Sequence, residues 1–348
     1  MSINFTSASS FSSHSSSLSG ISSKNEKKTY PHIAFIGGGN MAEAILEGLV
    51  SYGFPPQKIS VSEPVPTRTA YFCDRYSGLR VLEGDNPAAV TGAKSEKLRS
   101  GGEETGVAEV VVFAVKPQIM SLVTKELRDE IQKIQPLVVS IVAGIRTRDI
   151  ARWLTTGVAK PPIKNKHGEV ISNQDQDTTS TQSIPIIRCM PNTPALILEG
   201  AAGLYATLHV TDAQKALAEE IIGAIAKEYS WLQDESLIDA VTALSGSGPA
   251  YCFLMMEVME QAAVDLGIPR DIASKLTIQT FVGASKMAQA NTKTITLAEL
   301  RRRVTSPNGT TEAALKHMEK ENFSHVVSDA VKAADRRSKE LAEQFGKD

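Results

Sequence analysis

Two short stretches of this chain combine small residues with a helix start, the combination that lets backbone approach an anion. The first is GGGNMA, which spaces Gly37, Gly39 and Ala42 as G-x-G-x-x-A. An apolar run, IAFI, precedes it, and residues 41–50 follow with the helical spacing of Met, Ile, Leu and Val. In that setting Gly37 permits a tight turn, Gly39 lets backbone approach a pyrophosphate, and Ala42 allows close helix packing. Strand, glycine turn and helix together point to a bound dinucleotide, with Asn40 and Met41 opening the helix beside it.

The second stretch is SPNGTTEAALKHMEK, near the carboxyl end. Ser306-Pro307-Asn308-Gly309 is a turn, because proline fixes one φ angle while asparagine and glycine both tolerate a left-handed one. Thr310, Thr311 and Glu312 suit the first turn of the helix that follows, where N–H groups lack intrahelical partners and negative charge is favoured. Such an end can hold a carboxylate or can simply be an ordinary capped helix, and local sequence does not separate the two.

The end of the second strand carries the choice of dinucleotide. In SEPVPTRT, Glu63 falls near the position where an acid bonds the ribose hydroxyls of NADH. Ser62, Thr67 and Arg68 lie close enough in sequence to hold the extra phosphate of NADPH instead. Both cofactors remain open at this point.

These residues need elements to position them. IAFI, KISVSEP, VAEVVVFAVKP and PLVVSIVAGI read as buried strands separated by helical segments. The alternation predicts an α/β fold with an N-terminal Rossmann-type doubly wound sheet over residues 30–234. Polar stretches at 91–106 and 160–183 read as mobile surface insertions. After Glu235 the strand signals stop. Helices are expected over 236–244, 248–266, 269–289, 297–304, 310–320 and 323–345, forming an all-α C-terminal domain from 235 to 348. Two of these helices are apolar nearly all round, with Phe253, Leu254, Met255, Met256, Val258 and Met259 in one and Leu276, Ile278, Phe281 and Val282 in the other. Such helices are buried on more than one side, which predicts a homodimer through this domain.

With 348 residues, 42% hydrophobic and 22% charged, the chain has the composition of a soluble globular protein with room for two cores. No apolar run approaches the roughly 20 residues needed to cross a bilayer. A formal charge of -2 gives no reason to expect nucleic acid. Cys73, Cys189 and Cys252 are scattered, as are the histidines, so neither a metal site nor a disulfide framework is expected. The serine-dominated residues 1–29 read as a disordered leader on a cytoplasmic protein, an organelle transit peptide being the alternative.

Taken in order, FIGGGNMAEAI, AVKPQ, IVAGI, IRCMPNTPALILEGA, DAVTALSGSGPAY and SPNGTTEAAL resemble the pyrroline-5-carboxylate reductase family over nearly all of residues 33–341. The resemblance implies hydride transfer from NADPH or NADH to the C=N carbon of a small cyclic imino acid, the last step of proline formation, with family precedent leaning slightly to NADPH. It implies that Ser306 and the N–H groups around Gly309 and Thr310 hold the substrate carboxylate, with the Thr311 hydroxyl beside the ring nitrogen. It further implies that Ala114, Lys116, Pro117, Ala143, Gly144 and Asn192 lie near the nicotinamide. The loop is expected to reach a cofactor held by the partner subunit, in a dimer or a larger assembly such as a decamer. Asn308 departs from the family's usual glycine; its tolerance of a left-handed backbone should preserve the turn. Two rivals are a β-hydroxyacid dehydrogenase-like enzyme and a non-catalytic NAD(P)-binding regulatory dimer. The first would need a lysine four residues after Gly248, where this chain has Cys252. Retention of Ser306, Gly309 and Thr311 argues against the second.

Overall fold

Short runs of β-branched and aromatic residues build the centre of a nine-stranded sheet. The computed structural model describes residues 29–103, 105–155 and 183–347. The expected leader and almost all of the 160–183 insertion lie outside the described residues. The strands are β1 (Ile33–Ile36), β2 (Ile59–Ser62), β3 (Arg80–Leu82), β4 (Leu98–Ser100), β5 (Val110–Phe113), β6 (Leu137–Ser140), β7 (Ile186–Met190), β8 (Gly200–Ala206) and β9 (Ala226–Trp231). Around and after them run α1 (Asn40–Ser51), α2 (Pro66–Arg75), α3 (Asn86–Thr91), α4 (Pro117–Glu126), α5 (Arg128–Ile134), α6 (Thr147–Thr155) and α7 (Asp212–Gly223). From Leu237 onward the described chain is helical: α8 (Leu237–Val241), α9 (Gly248–Asp265), α10 (Arg270–Asn291), α11 (Leu297–Arg303), α12 (Thr310–Lys320) and α13 (Phe323–Phe345).

The strand order is β4-β3-β2-β1-β5-β6-β7-β8-β9. From β3 to β7 every neighbouring pair is parallel, with Ile36 opposite both Ser62 and Phe113. All four residues of β1, β2, β5 and β6 are buried, as strands covered by helices on both faces must be. One core layer gathers Ile36, Phe113, Val138 and Trp153, and Phe345 from the far end of α13 packs against it. Because the chain winds one way from β1 to β3 and the other way from β5 to β7, the carboxyl ends of β1 and β5 flank a topological switch point, where ligands bind in such sheets.

One expectation changes. Residues 91–106 are not merely a mobile insertion: β4 adds to β3 as an antiparallel edge strand. Its connection is clasped by the buried Arg80, whose guanidinium donates to the carbonyls of Ala88 (2.8 Å), Ala93 and Glu103. A buried cation among carbonyls compensates its desolvation by charge-assisted hydrogen bonds, so the clasp fixes the loop's path. Helices α9 and α10 carry the apolar faces expected to meet a second copy. No residue of α9 is buried within the chain, and only Ala273 and Thr277 of α10 are. Phe253 is 63% exposed and Leu254 60%, so the faces expected to be covered lie open in the single chain.

Candidate active site

Parallel pairing of β1 with β2 and β5 brings three carboxyl-terminal turns to one crevice. Gly37 sits at φ +97°, and a Cβ there would lie 2.8 Å from the Ala114 carbonyl oxygen. Only glycine fits this turn. Its N–H donates to the Ser62 carbonyl at 2.9 Å, tying the glycine turn to the end of β2. Gly38 is equally confined, by Phe72 and Glu63. Gly39 is the opposite case: nothing stands within 4 Å of where its Cβ would be, and it caps α1 without a side-chain bond. The space above Gly39 and the uncapped amides of α1 form a cradle that suits a pyrophosphate, so the residues present fit a dinucleotide. Asn40 and Met41 begin α1 beside that opening, and Ala42 is buried beneath it.

The next turn holds the residues singled out for the cofactor's adenosine end. Glu63 is buried, and its two carboxylate oxygens accept from Gly38 N–H at 2.7 Å and Val65 N–H at 3.0 Å. Arg68 Nε and Nη2 donate to the Gly38 carbonyl at 3.0 and 2.7 Å, and Nη2 also reaches Glu43 at 2.8 Å. Its guanidinium lies 5.1 Å from the Tyr71 ring centre and 4.9 Å from that of Phe72. Tyr71 donates to the other Glu43 oxygen at 2.5 Å. Burial alone would raise the Glu43 carboxyl, but the bonds from Tyr71 and Arg68 win and hold it below its ordinary value. Ser62 is buried with its hydroxyl on Asn86, 2.7 Å away.

On the other side of the crevice Ala114 is half-buried and Lys116 exposed, and Lys116 caps α4 with Pro117 at its first position. Proline is favoured there because its missing N–H has no helical partner to lose. Ala143, after β6, is exposed. Gly144 is buried at φ +72°, and its Cβ direction faces Leu341 and Ala342 of α13 at 3.5 Å. A Cβ would sit there in ordinary contact, so it is the positive φ rather than the packing that calls for glycine at this position. Asn192 is tied on both sides: Oδ1 accepts from Ala201 N–H at 2.9 Å and Nδ2 donates to the Ser245 carbonyl at 3.1 Å.

The second stretch forms as its sequence dictates. Asn308 takes the left-handed conformation at φ 58°, and Gly309 N–H closes the turn onto the Ser306 carbonyl at 3.1 Å. Gly309 caps α12 without a side-chain bond. The Glu312 carboxylate bends back to accept from Asn308 N–H at 2.9 Å, and this bond with the Lys316 pair at 3.2 Å keeps its carboxyl below the ordinary range. Ser306, Asn308, Thr310 and Thr311 are exposed in the single chain. First-turn amides and hydroxyls thus face outward at an uncapped helix start, where an anion would be favoured.

A buried ionic group that sequence reasoning missed joins the sheet to the helical segment. Arg188 of β7 is 1% exposed, and its guanidinium lies 3.2 Å from Glu235 and 3.7 Å from Asp239. Glu235 also accepts from Thr147 N–H at 2.7 Å and its hydroxyl at 2.6 Å, capping α6. Ser338 of α13 donates to Asp239 at 2.7 Å. An arginine inside the apolar strand IIRCM was the available signal, since such a cation needs a buried partner. Among the described residues no group of three or more His, Cys, Asp or Glu side chains could hold a metal ion. No helix among them is long and apolar enough to cross a membrane.

A glycine turn at the switch point of a doubly wound sheet, followed by a helical segment, defines a dinucleotide-dependent oxidoreductase of two-part build. Residues 32–144 match the family described as NADP oxidoreductase coenzyme F420-dependent, and residues 235–341 match the one described as pyrroline-5-carboxylate reductase dimerisation. The pyrroline-5-carboxylate reductase of Pseudomonas aeruginosa is 42% identical over 316 residues, 91% of this chain and 98% of its own. That of Haemophilus influenzae is 36% identical, over 90% and 98% of the two chains. The solved structure of the Coxiella burnetii pyrroline-5-carboxylate reductase superposes with a TM-score of 0.72 at 36% identity, covering 89% of this chain and 98% of that one. The chain belongs to the pyrroline-5-carboxylate reductase family.

Proposed function

We propose that this chain reduces 1-pyrroline-5-carboxylate to L-proline with NADPH or NADH. The observation that carries the reading is the open cradle above Gly39 beside the Ala114–Lys116 turn, in a chain of this family. When bound, the reduced nicotinamide supplies the hydride. Gly37, Gly39, Asn40, Met41 and Ala42 hold the pyrophosphate, while Ser62, Glu63 and Arg68 shape the adenosine end. Ala114, Lys116, Pro117, Ala143 and Gly144 border the nicotinamide, and Asn192 fixes the loop behind it.

The substrate is a small anion whose ring nitrogen makes the C=N bond more electrophilic when protonated. Ser306 and the first amides of α12 hold its carboxylate; Asn308 supports them, since its left-handed backbone turns the chain and its N–H is already taken by Glu312. The Thr311 hydroxyl orients the ring nitrogen. No separate acid is required, because a protonated imine needs none as hydride arrives and the product amine takes its proton from water. The rate then rests on orientation and fixed dipoles, contributions that reach several kcal/mol.

The exposed apolar sides of α9 and α10 belong at a twofold contact with a second copy, and the outward-facing loop completes the site of that copy. A decamer would be built from such dimers. The test is direct: purified protein with pyrroline-5-carboxylate should oxidise NADH or NADPH and yield proline. Binding of dinucleotide without oxidation would turn the reading into a regulatory dimer. Thr311→Ala should lower kcat roughly 100-fold, as loss of a transition-state hydrogen bond does, and leave dinucleotide Kd unchanged. Thr311→Ser should restore most of the rate.

A further inference from the structure

We propose that Glu63 makes NADH, rather than NADPH, the preferred reductant of this chain. The inference rests on the reading that the crevice holds a nicotinamide dinucleotide, and it goes beyond it by assigning which one. The two nucleotides differ by a phosphate on the adenosine ribose, so the choice depends on what charge and which donors stand at the end of β2.

Sequence alone leaves an acid and a base in competition there, and the structure separates their roles. A phosphate at this turn would need backbone amides, hydroxyls or a free guanidinium. The Gly38 and Val65 amides are already bonded to the two oxygens of Glu63, at 2.7 and 3.0 Å. The Ser62 hydroxyl is buried and bonded to Asn86. Arg68 Nε and Nη2 are committed to the Gly38 carbonyl and to Glu43, with the guanidinium against two aromatic rings; Nη1 and the exposed Thr67 stand outside this network, so a phosphate would have to be held by them beside the Glu63 anion. The Glu63 carboxylate is thus an internal anion seated on the amides that an external one would use.

The same carboxylate retains capacity for a neutral partner. A carboxylate offers about four lone-pair sites; two of them are engaged here. The others can accept from ribose hydroxyls, and a second anion brought to the same spot would be repelled at short range. Gly38 reinforces the arrangement, because any Cβ there would lie 3.1 Å from Glu63 Cβ and 2.7 Å from the Phe72 ring. The acid is therefore held in one place by the turn that it serves.

The experiment is calorimetric titration of the full chain with NAD⁺ and NADP⁺, repeated with Glu63→Gln and Arg68→Met, alongside kcat/KM for NADH and NADPH. Wild-type protein should bind NAD⁺ at least roughly tenfold more tightly. Glu63→Gln should reduce that ratio about tenfold, chiefly by tighter NADP⁺ binding, the reverse of what general damage to the loop would do. Arg68→Met should weaken both nucleotides by a similar factor, as expected of a residue that shapes the turn. Equal or tighter NADP⁺ binding by the wild type overturns the proposal, as does an unchanged ratio in Glu63→Gln or a selective loss of NADP⁺ in Arg68→Met. If both nucleotides bind with NADP⁺ favoured, only this inference falls. If neither binds, the dinucleotide reading falls with it.

Discussion

Arg188→Met removes one charge from the junction between sheet and helices, and its cost follows from what is left behind. The guanidinium is 1% exposed and sits 3.2 Å from Glu235 and 3.7 Å from Asp239. At an effective dielectric near 20 the closer pair attracts by about 5 kcal/mol, a gross figure that desolvation of the three charges largely offsets. The net worth of the cluster is therefore small, but removal of its arginine alone is a different perturbation. Asp239, buried, would keep just the Ser338 hydroxyl, while Glu235 would keep the Thr147 pair. Stranding the buried Asp239 carboxylate, with the partly buried Glu235 beside it, costs about 3–5 kcal/mol, a large part of a typical stability of about 5–15 kcal/mol.

The assay is denaturant unfolding at a fixed protomer concentration, because association contributes to the apparent stability of an oligomer. The single variant should lose those few kcal/mol through a lower midpoint with an unchanged slope. The triple variant Arg188→Met, Glu235→Gln, Asp239→Asn should recover a good part of the loss, since removing every charge leaves none unpaired. A single variant within about 1 kcal/mol of wild type would refute the reasoning, because that is the behaviour of a solvated surface pair.

Three further outcomes are expected. Gly37→Ala should lose about 1–3 kcal/mol or more of stability from a left-handed backbone and the 2.8 Å approach to the Ala114 carbonyl; Gly39→Ala, with open space, should fold normally yet weaken dinucleotide binding, as paired melting and titration would show. Glu43 sits below its ordinary value of 4.5 when folded, so its contribution to stability is present above that value and is lost as pH falls through the lower folded one; the acid limb of a melting-temperature profile should flatten in Glu43→Gln, and an unaltered limb would show that the Arg68–Tyr71 clamp does not stabilise the fold. Leu254→Asp, on a side chain 60% exposed in the single chain, should shift the assembly toward smaller species in sedimentation; an unchanged assembly would place the contact elsewhere.

What the sequence revealed, and what it hid, follows from how local each signal is. The glycine turn and α12 are readable because their residue types answer local backbone demands: a positive φ at Gly37 and Asn308, an uncapped helix start at Gly39 and Gly309. The six carboxyl-terminal helices are likewise announced by periodicity and by starts such as Thr296, whose hydroxyl caps α11. The outer strands are not. In β8, GAAGLYA offers small residues with weak strand preference, and β9, AKEYSW, alternates over an edge that is half in water; β8 forms on β7 and β9 in turn on β8. β4 depends on Arg80 eighteen residues earlier in the chain, and the pairing of Arg188 with Glu235 and Asp239 depends on contacts about fifty residues apart. Gly144 shows the same limit within the site, since its neighbour is a helix nearly two hundred residues away.

This division has a mechanical consequence for the site. The glycine turn is fixed by the sheet's fully buried central strands, whereas the turn proposed to hold the substrate carboxylate stands exposed on a helical segment whose apolar sides lie open within the chain. The first is preorganised by a core that one chain supplies; under the proposed dimer, the second gains its surroundings from the copy that covers the helices. Damage to α9 or α10 should therefore remove turnover before it removes dinucleotide binding, while damage at Gly37 should remove both. The Arg188 cluster is where the two halves meet, because it holds β7, the start of α6, α8 and α13 at once through Arg188, Thr147, Asp239 and Ser338. Loss of Arg188 should therefore loosen the attachment of α8 and α13 to the sheet before it disturbs the glycine turn, which none of these bonds touches.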